Sequence, residues 1–433
     1  MEQVNPSWEV IASYSDTGEY EAISFVNGIL VLKNGKHVDY ILNQITKKLT
    51  DLITKKNKSV TIKPISIRDN LILFIKCTII NPMFNSQSKE CLTTPITKFG
   101  SKAEVSDAFI LKLFKSGIVE RVLEISALQQ EKKLAKTDGT KKNTIRGLPK
   151  LEDAIWAGTN KSKECLLILC EGDSASAMAN AGVSVVGRER YGVFPLKGKV
   201  MNVRDQVAGK IADNQEIANI KKILGLESGK KYTTLDDLRY GAIMLMTDSD
   251  EDAKHITCLI FNMIHTLWPT LMKNFSFICS LQTPIIKARK GTQTLQFYST
   301  LEYNQWKETI QNINTWHIKH YKGLATSDTS EAKEYFKEMR KVTYTCTEKT
   351  DEYLELAFDK KKADLRKEWI MNYDRNNILD YRDTHVTYDD YINKGLIEFS
   401  NYDVERSIPN MMDGPSQCPR CLLKSILLSP CVR

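Results

Sequence analysis

The sequence predicts an α/β fold, and three of its features carry that expectation. Strand-like and helix-like segments alternate from residue 7 to about residue 130. Two short apolar runs, "LLILC" and "AIMLM", each end directly in acidic residues. A polar, basic stretch broken by Gly and Pro lies between the first region and these two runs.

Taken in order, "EAISFVNGILVL", "SVTIKPIS" and "LILFIKCTII" read as strands because they are short, rich in β-branched and aromatic residues and bounded by turn formers. "HVDYILNQITKKLTDLITKK" and "SDAFILKLFKSGIVERVLEISALQQ" carry helical periodicity. "EKKLAKTDGTKKNTIRGLPK" reads as a linker. The next strand, Leu166 to Cys170, runs into Glu171 and Gly172. Glycine permits a tight turn there, and Asp173 or Ser174 can cap the small-residue helix that follows.

A further strand, Ala242 to Met246, leads into "TDSDEDAKHI". If extended geometry persists, Asp248, Asp250 and Asp252 point the same way. Carboxylates that close repel unless a cation neutralises them, and an all-oxygen set suits a hard divalent ion. An EF-hand loop is excluded, because Ala253 and Leu259 stand where it needs Gly and Glu. The competing reading is a solvated acidic turn that caps "HITCLIFNMIHTLW". In an open parallel sheet, reactive groups gather at the carboxyl ends of strands, so Glu171 and the aspartates are expected to face one crevice.

Composition bounds the partners. The 433 residues suffice for two or three domains, and the net charge of +8 suits a polyanionic partner. Ten cysteines without framework spacing, some within apolar strands, argue against a secreted disulfide scaffold. With no signal peptide and no membrane-length apolar run, a soluble intracellular protein is expected, in a host cytoplasm if viral or a nucleus if cellular.

"LILCEGDSA", "VVGRERYGVFPLKGKVMNVRD", "LRYGAIMLMTDSDEDAKHI", "HYKGLATS" and "LRKEW" closely resemble successive segments of the type IIA DNA topoisomerases of eukaryotic style. Spacing and some residue choices look most like the viral branch of that family, of the African swine fever virus kind. The resemblance implies a transducer-like α/β domain with its basic linker at 1–145 and a TOPRIM metal-binding domain, a parallel sheet flanked by helices, at 146–280. A TOPRIM-associated region at 281–402 and the start of a winged-helix domain at 403–433 are implied to follow.

The family pattern implies that Glu171 and Asp248 hold one Mg²⁺ and that Asp248 and Asp250 hold a second, with Asp252 as a helper. Mn²⁺ or Ca²⁺ could substitute in binding. Glu171 would also exchange a proton with a freed sugar hydroxyl, and Lys322 would support the site from an adjoining loop. Gln87, Ser88 and Lys89 in "NSQSKE" match the loop that reaches the terminal phosphate of ATP. Lys55, Lys56, Lys199, Asn202, Arg366 and Lys367 match positions that meet duplex DNA. Taken singly, each of these lysines reads more readily as an ordinary solvated residue. His255 could touch DNA or simply pack.

This chain departs from the family at Ala253, Lys254 and Ala325, where Gly, Ser and Gly are usual. Positive φ at Ala253 would be strained. "PSQCPRCLLKSILLSPCVR" replaces the basic continuation expected after "NYDVERSIPNMMDG", and its "CPRC" lacks a second ligand pair for zinc. The nucleotide-cradling ATPase module and the catalytic tyrosine are expected to lie outside these residues, as are the main contacts of a homodimer. The chain alone is therefore expected to be inactive. Two other readings stay open: a TOPRIM nuclease or primase, and a truncated protein that binds DNA without cutting it.

Overall fold

The structure is a computed structural model that describes residues 1–408 apart from 16, 57–61, 311, 322, 376, 378 and 380–383. The chain forms two compact units, residues 1–133 with 207–209, and residues 134–206 with the rest. No described helix is long and apolar enough to cross a membrane.

The first unit holds strands β1 (Glu2–Asn5), β2 (Trp8–Tyr14), β3 (Glu21–Val26), β4 (Ile29–Val31) and β5 (Leu71–Cys77), ordered β1-β2-β5-β3-β4. Asn27 and Gly28, both at positive φ, make the tight turn between β3 and β4. Alternate residues of β5, Leu71, Leu73, Ile75 and Cys77, are buried beneath the helix Lys36–Lys56, whose Val38, Ile41, Ile45 and Leu49 face the same core.

Two expectations are corrected here. In "SVTIKPIS", the residues from Pro64 onward form the helix Pro64–Arg68, because proline is preorganised for a first helical turn and poor in a strand. The stretch 106–130 is broken into helices Asp107–Phe114 and Ile118–Ala135 at Gly117, whose φ of +95° stops the first of them.

The second unit contributes β6 (Leu166–Glu171), β7 (Tyr191–Leu196), β8 (Ala242–Met246), β9 (Ile278–Leu281), β10 (Ile286–Lys290), β11 (Gln293–Phe297), β12 (His317–His320), β13 (Lys341–Thr345) and β14 (His385–Thr387). Six of these form a sheet ordered β14-β13-β9-β8-β6-β7, parallel from β7 through β9, with β13 antiparallel to β9. The remaining three make the antiparallel ribbon β11-β10-β12.

Both faces of the six-stranded sheet are buried, which explains why β6 and β8 read as unbroken apolar runs. Leu167, Leu169, Ile243 and Leu245 point to the face covered by the helix Glu251–Leu267. Ile168, Cys170, Met244 and Met246 point to the other face, covered by helices Gly172–Val186 and Thr329–Glu338.

Residues 134–145, the latter part of the basic stretch, pack with the second unit rather than swinging as a free linker. Buried Lys221 donates to Leu134 O at 3.1 Å and Thr137 Oγ1 at 2.8 Å, and it pairs with Asp138 at 2.7 Å. Fully buried Arg239 donates to the carbonyls of Lys142 at 2.6 Å and Ile223 at 2.7 Å, and it pairs with Asp153. Satisfied on all sides, these cations are compatible with burial.

Two stability predictions follow from the packing. A Cβ at Gly182 would fall inside the van der Waals surface of the buried Phe336 ring. Gly182→Ala is therefore expected to destabilise by about 1–3 kcal/mol in denaturant unfolding, despite alanine's better helix propensity. A stabilised variant would show that the two helices do not touch there.

His37 is fully buried in the first turn of its helix, neither ring nitrogen has a hydrogen-bond partner among the described residues, and burial pushes its pKa down to about 4. The folded pKa lies below the unfolded value of about 6.5, so this contribution is complete above pH 6.5 and is lost as pH falls toward 4, by up to about 3 kcal/mol. Chemical unfolding of His37→Leu across that window should be less pH-dependent than that of the parent chain, and equal slopes would contradict the assignment.

Candidate metal centre

The register of β6 on β8 sets Cys170 opposite Met246, so Glu171 and the acidic loop emerge at neighbouring strand ends. Glu171 also begins the helix Gly172–Val186, with Gly172 at φ +81° making the turn. Neither Asp173 nor Ser174 caps that helix, and Asp173 pairs with Lys150 at 2.8 Å instead.

Glu171 is the most perturbed carboxyl of the group. Its Oε2 is buried and has no hydrogen-bond partner among the described residues. Burial first, then the charges of Asp250, Asp248 and Asp252, pushes its pKa up to about 7, with Lys199 opposing.

Extended geometry does not persist through the three aspartates, so the condition for their shared direction is not met. β8 ends at Met246 and a helix begins at Glu251, so the period-two alternation stops before the cluster is complete. Asp248 Oδ1 accepts from Leu324 N at 2.7 Å. Asp250 is the N-cap of the helix Glu251–Leu267, accepting from Ala253 N at 2.9 Å. The capping reading thus holds for Asp250, and each of these two carboxylates keeps its second oxygen without a described partner.

Asp252 lies in the first helical turn and is spoken for. Arg406 donates to both its oxygens at 3.0 Å and Lys199 Nζ reaches Oδ1 at 2.7 Å, holding its pKa down at about 2. Arg406, on the helix Ile397–Ser407, was not singled out by sequence; no local pattern links it to a residue so distant in the chain.

Among the described residues, no three His, Cys, Asp or Glu side chains already sit at metal-ligand spacing. The donor chemistry nevertheless fits a hard divalent cation. Glu171 contributes an orphan buried oxygen, Asp248 and Asp250 each have one oxygen free, and no described cation forms an ion pair with any of the three. A cavity of about 270 Å³ opens beside Asp248 and Asp250, with Lys254, Gln282, Tyr298 and Glu398 on its wall.

Two of the family departures take ordinary settings. Ala253 lies within the helix and is absent from the positive-φ residues, while Lys254 is neutralised by Glu398. His255 packs rather than reaching outward: its ring stacks on Phe399 at 4.3 Å, and burial lowers its pKa to about 4. Lys322 lies outside the described residues, as does "CPRC".

The remaining expected positions are scattered. Lys55 and Lys56 are exposed at the end of the helix Lys36–Lys56, with Lys56 Nζ 4.3 Å from the Phe114 ring centroid. Gln87, Ser88 and Lys89 are exposed on a loop pinned by Asn85, which bonds the Cys91 backbone through both its N–H and its side chain. Lys89 adopts φ +56° there.

Asn202 is engaged within the protein. Its amide donates to Phe358 O at 3.0 Å and accepts from Arg204 N and Asn262 Nδ2. Arg366 is likewise partly committed, donating to the carbonyls of Leu356 and Asp359, whereas exposed Lys367 pairs with Asp364.

Three family models match this chain: DNA gyrase B over residues 2–142, the Toprim domain over 166–278 and the C-terminal associated domain of TOPRIM over 281–404. It is 47% identical over 419 residues to DNA topoisomerase 2 of Arabidopsis thaliana, covering 95% of this chain and 28% of that protein. Against DNA topoisomerase 2-beta of Homo sapiens the identity is 45% over 434 residues, covering 95% and 26%. The crystal structure of the Plasmodium falciparum topoisomerase II DNA-binding, cleavage and re-ligation domain matches with a TM-score of 0.62 at 46% identity, over 65% of this chain and 39% of that one. The chain spans just over a quarter of the length of these curated relatives.

Gly323 lies against Asp248, where an added Cβ would come within 2.6 Å of Oδ2 and 2.8 Å of Cγ. Gly323→Ala is expected to displace that carboxylate and weaken Mg²⁺ binding about tenfold in calorimetric titration, a change of about 1.4 kcal/mol. Unchanged affinity would separate Asp248 from any cation site.

Proposed function

We propose that this chain, which belongs to the type II DNA topoisomerases of eukaryotic type, supplies the transducer-like and metal-binding parts of an ATP-dependent enzyme that cuts, passes and reseals duplex DNA. One observation carries the reading: the buried Oε2 of Glu171, without a hydrogen-bond partner among the described residues, stands at a strand end beside the loop of Asp248 and Asp250, within a Toprim domain. The gyrase B match over 2–142 favours this reading over a nuclease or primase. Motif spacing supports placing the chain in the viral branch of the family.

Glu171, Asp248 and Asp250 are the residues that would hold Mg²⁺. Bound there, the ion would supply charge stabilisation for phosphoryl transfer at the DNA backbone. Glu171, raised toward neutrality by burial and its acidic neighbours, is suited to hold or release a proton at its buried Oε2. Asp252 serves as the anchor for Lys199 and Arg406.

Lys55, Lys56 and Lys367 present cations at the surface for DNA phosphates, and Lys199 could join them by leaving Asp252. Arg366 and Asn202, which bond the carbonyls of Leu356, Asp359 and Phe358, would join them as the family resemblance implies. The exposed loop of Gln87, Ser88 and Lys89 would reach the terminal phosphate of ATP bound to an ATPase module, as the family resemblance implies.

Joined to segments that provide an ATPase module and a catalytic tyrosine, the chain should support Mg²⁺- and ATP-dependent plasmid relaxation. Glu171→Gln and Asp248→Asn should each lower it by about 100-fold or more. Relaxation retained in both variants would remove the metal reading. Mg²⁺-dependent nicking by the chain alone would instead favour a nuclease.

A further inference from the structure

Apart from the acidic site, the second unit carries a basic hollow of about 390 Å³. It is formed by the segment after Asp138 together with Lys222, and Thr140, Lys142, Thr144 and Arg146 stand on its wall. Lys142, Arg146 and Lys222 are exposed, and none forms an ion pair among the described residues. Their neighbours behave differently: Lys141 Nζ donates to the Asp236 carbonyl, and Lys221 is buried on Asp138.

The one carboxylate at the hollow does not offset these charges. Asp138 is already taken by Lys221 Nζ at 2.7 Å and by the Ser228 hydroxyl and N–H at 2.6 and 3.0 Å. Three cations therefore surround one concavity and, among the described residues, none of them forms an ion pair, an arrangement that repels itself and focuses positive potential.

The hollow is also built rather than incidental. Buried Arg239 holds the carbonyls of Lys142 and Asn143 from beneath. Gly139 packs against the Lys221 carbonyl with no space for a Cβ, and its N–H donates to Leu226 O at 2.9 Å. The backbone that carries Lys142 and Arg146 is thus fixed from the inside while their charges face out.

We infer that this hollow receives a phosphate group of a DNA backbone, bound by Lys142, Arg146 and Lys222 with the hydroxyls of Thr140 and Thr144 beside them. Exposed point charges around an open concavity suit a phosphodiester presented from outside, which needs neither enclosure nor base readout. This assignment rests on the DNA-processing function proposed above.

The test is binding of a short labelled duplex to the full chain across a salt series, using a variant that combines Lys142→Gln, Arg146→Gln and Lys222→Gln. The variant should bind roughly tenfold more weakly, with a log–log salt slope shallower by about 1 to 3; Lys222→Gln alone should lose about 1. Its Mg²⁺ affinity should match that of the parent chain, because the carboxylate site is untouched.

Duplex binding with an unchanged slope in both variants would overturn this inference alone. Failure of the parent chain to bind duplex would overturn both this inference and the DNA reading of the function. Inorganic triphosphate that binds the parent chain but not the triple variant, with the duplex slope unchanged, would give the hollow to a free polyanion and so overturn the DNA assignment.

Discussion

The structure of the second unit depends on the pairing of β6 with β8. Parallel neighbours in register must end together, so two chain segments far apart in sequence deliver their acidic residues to one edge. The sheet is buried on both faces by separate apolar clusters, and a slip of one residue would reverse which side chains meet each cluster. Hydrophobic packing therefore holds the carboxylates together against their mutual repulsion.

The fold limits that repulsion by giving each carboxylate a different environment. Asp248 takes a backbone N–H from the turn at Leu324, Asp250 caps a helix, and Asp252 is covered by two cations. Glu171 Oε2 has no such partner among the described residues, and burial and its acidic neighbours raise the pKa of this carboxyl. Chemically alike residues thereby become unequal, which a site needs if one group is to handle protons while others remain charged.

Much of this was legible in the sequence because it rests on local rules. Short apolar runs that stop at acidic residues gave the two central strands and their ends, and helical periodicity gave Lys36–Lys56 and Glu251–Leu267. What escaped depended on tertiary contacts. The stretch 134–145 has a linker's composition, but Arg239 and Lys221 fasten it from within. The partners of Asn202, Phe358 and Asn262, come from distant elements that no local pattern could indicate. Extended geometry does not reach Asp252 because a helix starts one residue before it.

The contacts of Asp252 join three separate pieces of chain: its own helix, the segment after β7 that bears Lys199, and the last turn of the helix Ile397–Ser407 that bears Arg406. An anion in that position works as a rivet. Drawing Lys199 away releases one piece and drawing Arg406 away releases another, and the carboxylate is freed only when both have left, so local charge and local rigidity are governed by the same side chain.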